Sequence, residues 1–336
     1  MMGKMTGRSR HTVTRGLFRP ARAGRGQVTP PRPIAAWFGL LALRGVALLP
    51  FPVIYRIAGV LGRIAAWLPV RPVRFATITI RTCFPGLSTL ERATLLRRSM
   101  AENTRTVCEL GALWTWSGDR VLGLVREVRG EHHLGAALAH GRGVILAGPH
   151  LGAWELIGLY CSSRCPMTAL YERPVVTALE RFYASGRTRF GARLAPGTAG
   201  GIRTLVRALS DGHIVGIMPD QDPRRGAGVF VPFFGVLANT TTLVSRLAQR
   251  SGAPVVLAFA ERLPEGAGFR LHFSPASPAV RDADLLASAS ALNLDIERLV
   301  RGCPEQYLWS YKRFRVRPHG EANPYRPLAH AETTTR

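Results

Sequence analysis

The sequence predicts an α/β fold, a mixed and partly parallel central sheet flanked by helices, preceded by an N-terminal membrane-anchoring helical segment. Short apolar runs bounded by Gly or Pro, GVILAG (143–148), HIVGIM (213–218) and APVVLAFA (253–260), have the length and texture of buried strands. Helical stretches lie between them, such as GIRTLVRALSDG (201–212) and TTLVSRLAQRSG (241–252), and this alternation yields parallel strands with helical crossovers. The composition agrees: 336 residues, 46% hydrophobic and 20% charged, are too apolar for a disordered chain and sufficient for one large domain or two ordinary ones.

Charge divides the chain. There are 45 basic and 21 acidic residues, a net +24, and 43 of the 45 are arginine. Residues 1–90 contain fourteen Lys or Arg and no acid before Glu91. A uniformly coated nucleic-acid binder would not distribute its surplus this way, and no nucleic-acid partner is expected. Residues 1–33 carry eight basic charges, a Pro-rich end and almost nothing apolar, which predicts a disordered arm. Residues 34–70 are a membrane-anchoring helical segment, apolar apart from Arg44, Arg56 and Arg63, with Trp37, Phe38, Tyr55 and Trp67 spread along it. Arg44 divides its first apolar run, and Pro50 and Pro52 break the helix. A hairpin buried in a soluble domain is the alternative. The rest divides into an α/β domain over 71–325 and a polar tail over 326–336.

From 71 to about 140 the spacing is helical, and in ERATLLRRSMAENTRTVCELGALW the apolar residues take one face and the charges the other. His132 and His133 sit in a polar turn and read as structural. The five cysteines are too few and too irregular for a disulfide framework, and no metal site is expected, since Cys161 and Cys165 lack a second pair or a flanking histidine. No G-x-S-x-G elbow and no P-loop occurs.

The chemistry gathers where the first apolar run ends, in GVILAGPHLGAWELIGLYC. His150 follows the strand directly, and ligand groups collect at such carboxyl ends in open α/β sheets. Glu155 stands five positions after His150, about 140° round a continuous helix. They meet only if His150 stands in the turn before the helix and Glu155 on its first turns, where the carboxylate would orient the imidazole as a general base. Asp220 and Asp222 follow the second run, one of them a polar partner for His150 or part of a capped turn. Arg224 and Arg225 behind them suit phosphate oxygens or are plain surface charge. Phe230, Phe233 and Phe234 in VFVPFF offer an acyl-chain groove or are simply core.

The string His150-Leu-Gly-Ala-Trp-Glu155 after an apolar strand resembles the H-x4-D/E motif of glycerolipid acyltransferases. More narrowly it resembles the bacterial lipid A biosynthesis acyltransferases, the lauroyl and myristoyl transferases of Kdo-lipid A, with Ala153 where that family usually has Asn. Three further blocks continue the resemblance in order: 171–191, 218–248 and 305–318. It implies an acyltransferase without cofactor that moves a fatty acyl chain from acyl carrier protein to a hydroxyl of a membrane glycolipid, a lipid A precursor, in late lipopolysaccharide assembly. His150 would be the base and Glu155 its partner. Arg173 and Arg187 would meet substrate phosphate or the developing oxyanion, with Asp220, Asp222 and Arg224 also at the substrate. The expected place is the inner, cytoplasmic membrane, with the catalytic domain on its cytoplasmic side. Two alternatives stand beside it: an acyl-CoA-dependent enzyme for another glycolipid such as a phosphatidylinositol mannoside, and a basic membrane- or nucleic-acid-binding protein with an inactive acyltransferase fold.

Overall fold

The computed structural model describes residues 33–172, 177–223 and 226–326. The predicted arm, apart from Pro33, lies outside the described residues, as do Arg173, Arg224, Arg225 and the tail beyond Arg326.

Among the described residues the first elements are the helices α1 (Pro33–Val46), α2 (Phe51–Ala65), α3 (Arg71–Cys83) and α4 (Thr89–Thr115). The short α5 (Gly118–Leu122) and β1 (Val125–Arg129) follow, then α6 (Glu131–Ala139), β2 (Val144–Ala147), α7 (Trp154–Ser162) and β3 (Met167–Tyr171). The chain continues through α8 (Thr177–Thr188), β4 (Arg193–Pro196), α9 (Ala199–Ser210) and β5 (Ile214–Ile217). The hairpin β6 (Gly228–Phe233)–β7 (Val236–Thr241) leads to α10 (Leu243–Ser251), β8 (Val255–Arg262), β9 (Phe269–Pro275) and α11 (Leu285–Gly302).

The sheet order is β1-β9-β8-β2-β5-β3-β4. Strands β8, β2, β5, β3 and β4 are mutually parallel, and β9 runs antiparallel to β8. Both faces are covered, which is why the central strands read as unbroken apolar runs. Ile145, Ala147, Val215 and Ile217 pack on one side with α9, α10 and α11, whereas Val144, Leu146 and Ile214 pack on the other with α4 and α7. Within the stretch read as helical, 125–129 is a strand. Among the described residues VREVR lies at the sheet edge beside β9 alone, so it carries charge where a central strand would be apolar. His132 and His133 open α6 instead of lying in a turn.

The apolar segment folds as two helices separated at Pro50. On α2, Phe51, Ile54, Ala58, Gly59 and Gly62 are buried. The helix lies so close to α4 that a Cβ at Gly62 would come within 2.4 Å of the Met100 carbonyl oxygen. Its outer face is also apolar, with Val53, Ile57, Val60, Leu61 and Ile64 exposed beside Arg56 and Arg63. No helix among the described residues is long and apolar enough to cross a membrane.

Candidate active site

The parallel register of β2 and β5 builds the centre of the site. Ala147 pairs with Ile217, and His150 and Asp220 each stand three residues beyond that pair, in the turns leaving neighbouring strand ends. The His150 backbone N–H donates to Asp220 Oδ2 at 2.9 Å, and His150 Nδ1 lies 2.8 Å from Asp220 Oδ1. The Gln221 side-chain nitrogen lies 3.0 Å from His150 Nε2. Burial alone would push the Asp220 carboxyl up. The His150 ring and backbone N–H, with Arg313, more than reverse this and hold it below the ordinary aspartate value. A carboxylate at Nδ1 fixes the tautomer and makes Nε2 the accepting nitrogen, whose lone pair here takes the Gln221 amide N–H and would take a substrate proton once that amide is displaced.

Glu155 sits on the first turn of α7. Its carboxylate is gripped by Arg187 from α8: Arg187 Nε lies 2.9 Å from Oε2 and 3.1 Å from Oε1, and Nη2 also donates to Oε1. Among the described residues the hydrogen-bond partners of the His150 ring are therefore Asp220 and Gln221, and Glu155 is joined to Arg187. Arg189, in the same sequence block, donates to the Leu113 and Trp116 carbonyls at the end of α4.

The turn carrying His150 is tied down on three sides. Leu308 N–H donates to the His150 carbonyl at 3.1 Å, Gly152 N–H to the Gln306 carbonyl at 3.1 Å, and Ala153 N–H to the Ala260 carbonyl at 2.8 Å. Gly152 has φ +61°, and a Cβ there would stand 1.9 Å from the Ala260 oxygen, so both conformation and space demand glycine. Arg262 supports the turn from below, donating through Nη2 to the Gly152 carbonyl at 3.0 Å.

The aromatic strand goes into the core. Phe233 and Phe234 are buried against Tyr307, Trp309 and Phe84, and Phe230 is half-buried on β6. An apolar cavity of about 120 Å³ instead opens beside Glu155 and Arg187, between the sheet and α7. Among the described residues no His, Cys, Asp or Glu group is arranged to hold a metal ion.

The profile of the family described as "Bacterial lipid A biosynthesis acyltransferase" matches residues 25–316. The chain belongs to this family. It is 32% identical over 301 residues to the lipid A biosynthesis lauroyltransferase of Escherichia coli K12, covering 88% of this chain and 96% of that protein. Similarity to the palmitoleoyltransferase of the same strain is 31% over 299 residues (88% and 95%), and to its myristoyltransferase 27% over 299 residues (88% and 91%). The protein is therefore an acyltransferase of the lipid A biosynthesis family.

Several groups beside the site of this acyltransferase were not singled out from the sequence. Gln221 lies inside the quoted Asp-Gln-Asp string, but nothing about glutamine marks it as a neighbour of an imidazole. Arg262 ends β8, and the strand-end reasoning that found His150 would have reached it once β8 was known to adjoin β2. Tyr307 is buried, and burial together with the Asp220 charge pushes its hydroxyl well above the ordinary value.

Asp222 behaves differently from Asp220. Its backbone N–H donates to Tyr311 Oη at 2.8 Å, while its carboxylate lies 3.5 Å from both Arg313 Nη1 and Arg315 Nε. Burial outweighs those two cations and pushes its carboxyl up to about 6. The folded state thus holds this proton more tightly than the unfolded chain, whose aspartates titrate near about 3.9. The resulting stability is full below that value and is lost as pH rises through about 6. Asp222→Asn is therefore expected to gain stability relative to wild type between acid and neutral pH. Denaturant midpoints across that range would check this, and a difference constant with pH would refute it.

Proposed function

We propose that this acyltransferase moves a fatty acyl chain from an acyl carrier protein thioester to a hydroxyl of a lipid A precursor, with His150 as general base. His150 Nε2 takes the acceptor proton as the oxygen attacks the thioester carbonyl carbon, and Asp220 stabilises the imidazolium through Nδ1. The tetrahedral oxyanion then collapses. The C–S bond breaks and the proton passes from His150 to the departing thiolate, leaving ester and free thiol. Glu155, held by Arg187, sets the polar rim beside the reacting carbon, where Arg187 faces the developing negative charge. The observation that carries the reading is the two-point grip of Asp220 on His150, which makes Nε2 the accepting nitrogen at the ends of the central strands, where the acceptor hydroxyl would replace the Gln221 amide. The basic surface suits both an acidic carrier protein and a phosphorylated glycolipid. Mass spectrometry of lipid A precursor incubated with the protein and acyl carrier protein or CoA thioesters tests it. An added acyl mass drawn from the carrier thioester is expected. Mass added only from CoA would favour the CoA-dependent alternative, and no added mass would overturn the acceptor.

The same reading places the protein on the inner membrane through α1 and α2, lying in the interface instead of spanning it. Trp37, Phe38 and Leu41 of α1 and Ile57, Val60 and Ile64 of α2 are exposed, with Arg44, Arg56 and Arg63 among them. Apolar side chains interleaved with arginine suit the boundary between anionic headgroups and acyl chains. Ile57→Ser/Val60→Ser/Ile64→Ser is expected to weaken flotation with anionic vesicles at least tenfold, because the inner face of α2 still packs on α4. Undiminished flotation would move the anchor elsewhere.

A further inference from the structure

The lauroyl and palmitoleoyl transferases, which are named for different acyl chains, resemble this chain almost equally at 32% and 31% identity, so overall similarity does not specify an acyl chain. The cavity beside Glu155 has the means to do so. Four residues in one register row form its floor: Leu146 of β2 pairs with Gly216 of β5, Gly216 with Ala169 of β3, and Ala169 with Leu194 of β4. The two central members of the row are Gly and Ala, so the sheet face is hollow there. The roof above is equally bare. Gly158 of α7 lines the cavity, and a Cβ built on it meets no atom within 4 Å.

The cavity has a direction. Gly148, Met218, Trp154, Glu155 and Arg187 line the end nearest His150, since the first two follow the carboxyl ends of β2 and β5 and α7 starts at Trp154. At the other end stands Met167, the first residue of β3, level with Ile214 at the start of β5. Four strand residues separate those levels, a depth of roughly 13 Å. The Met167 methyl bends over Gly216, and a Cβ at Gly216 would lie 2.5 Å from it. At about 120 Å³ the cavity is on the scale that holds a single benzene ring, so a full acyl chain enters only as Met167, flexible and unbranched, swings off the deep end as a movable stop.

We infer that this cavity receives the acyl chain of the donor thioester, and that Gly158 and Met167 set the length it accepts. This rests on the acyl-transfer reading above. The donor chain is bonded directly to the reacting carbonyl carbon, so its apolar path must begin beside the His150 ring. The Trp154 indole provides that continuity, because it packs edge-on against the imidazole at 5.1 Å between centroids and also lines the cavity. A side chain at 158 would occupy the middle of the path. Shortening Met167 would extend its end.

The experiment offers the full-length protein an equimolar mixture of lauroyl, myristoyl and palmitoyl thioesters with one acceptor, and reads the product masses. Gly158→Leu is expected to raise the lauroyl-to-palmitoyl product ratio by about tenfold or more, the scale on which a few methylenes are discriminated in an apolar pocket. Met167→Ala is expected to move the ratio in the opposite sense, and Gly158→Ala to give a smaller shift in the direction of Gly158→Leu should the leucine variant fold poorly. Wild-type ratios in both Met167→Ala and Gly158→Ala, with product still formed, would overturn the inference. So would an unchanged donor ratio accompanied by altered preference among acceptors of different chain length, which would give the cavity to the acceptor. Absence of transfer by the wild type from every donor would instead remove the underlying acyl-transfer reading.

Discussion

His150→Ala is expected to lower kcat by about 10²–10⁴-fold, the usual contribution of a positioned base, with KM for the acyl donor little changed. Among the described residues the ring's hydrogen bonds go to Asp220 and Gln221, so the sheet and its cores keep their contacts when it is removed. Some stability is nevertheless lost, because buried Asp220 loses its Nδ1 partner and is left with the residue-150 backbone N–H, the Tyr307 hydroxyl and the more distant Arg313 to support its charge. An unsatisfied buried acceptor costs about 1–3 kcal/mol. His150→Gln separates the two effects. An amide can bond the Asp220 carboxylate but cannot take a proton at neutral pH, so its stability should approach wild type while its turnover matches His150→Ala. Asp220→Asn should also lose activity with the imidazole in place, since an amide can present its oxygen or its nitrogen to Nδ1 and no longer fixes the tautomer. Near-wild-type transfer by His150→Ala, measured as acyl mass added per unit time, would remove His150 from the chemistry.

The two carboxylates near His150 show how far the sequence could be followed. Strand ends were legible because fully buried strands leave unbroken apolar runs, and the position of His150 after such a run marked it. Choosing between Asp220 and Asp222 needed the register of β2 against β5, which no local pattern contains. Once Ala147 lies opposite Ile217, equal offsets bring His150 to Asp220 and carry Asp222 on to Tyr311 and Arg313. Glu155 was found through the motif, but its bond to Arg187 joins helices 32 positions apart in sequence and depends on how α8 packs against α7. The edge strand β1 was missed because its charges imitate a helix surface. The charges of α4 mislead in the other direction. Amphipathic spacing sends them to solvent, yet Glu102, Arg105 and Glu109 are buried. Only a compensating charge from a distant strand makes that tolerable, and Arg262 supplies it.

Removing that charge is expected to produce the largest loss of stability. Arg262 donates to Glu109 through Nε at 2.8 Å and Nη2 at 2.7 Å, to Thr106 Oγ1 at 2.6 Å, and reaches Glu102 at 3.4 Å. Arg105 serves the other Glu102 oxygen, so two carboxylates and two guanidiniums balance. Burial drives the Glu109 carboxyl above its ordinary value even with Arg262 pulling it down. Arg262→Met keeps most of the volume and strands Glu109 without a counterion, at a cost of about 3–5 kcal/mol. Part of that cost should be avoided by protonation, so the deficit in denaturation midpoint should shrink as pH falls and the buried carboxyl gains its proton. Arg262→Met/Glu109→Gln should be more stable than Arg262→Met alone, whereas independent sites would simply add their losses. Arg262→Lys restores the charge but not the fork, and should rescue incompletely. Function follows through geometry, because the same guanidinium holds the Gly152 carbonyl and the Arg262 main chain pairs with the Gln306 side chain. A variant stabilised enough to be assayed should therefore show a lower kcat than its folded fraction explains, with the donor KM nearly unchanged. An activity that merely tracked the folded fraction would confine Arg262 to stability.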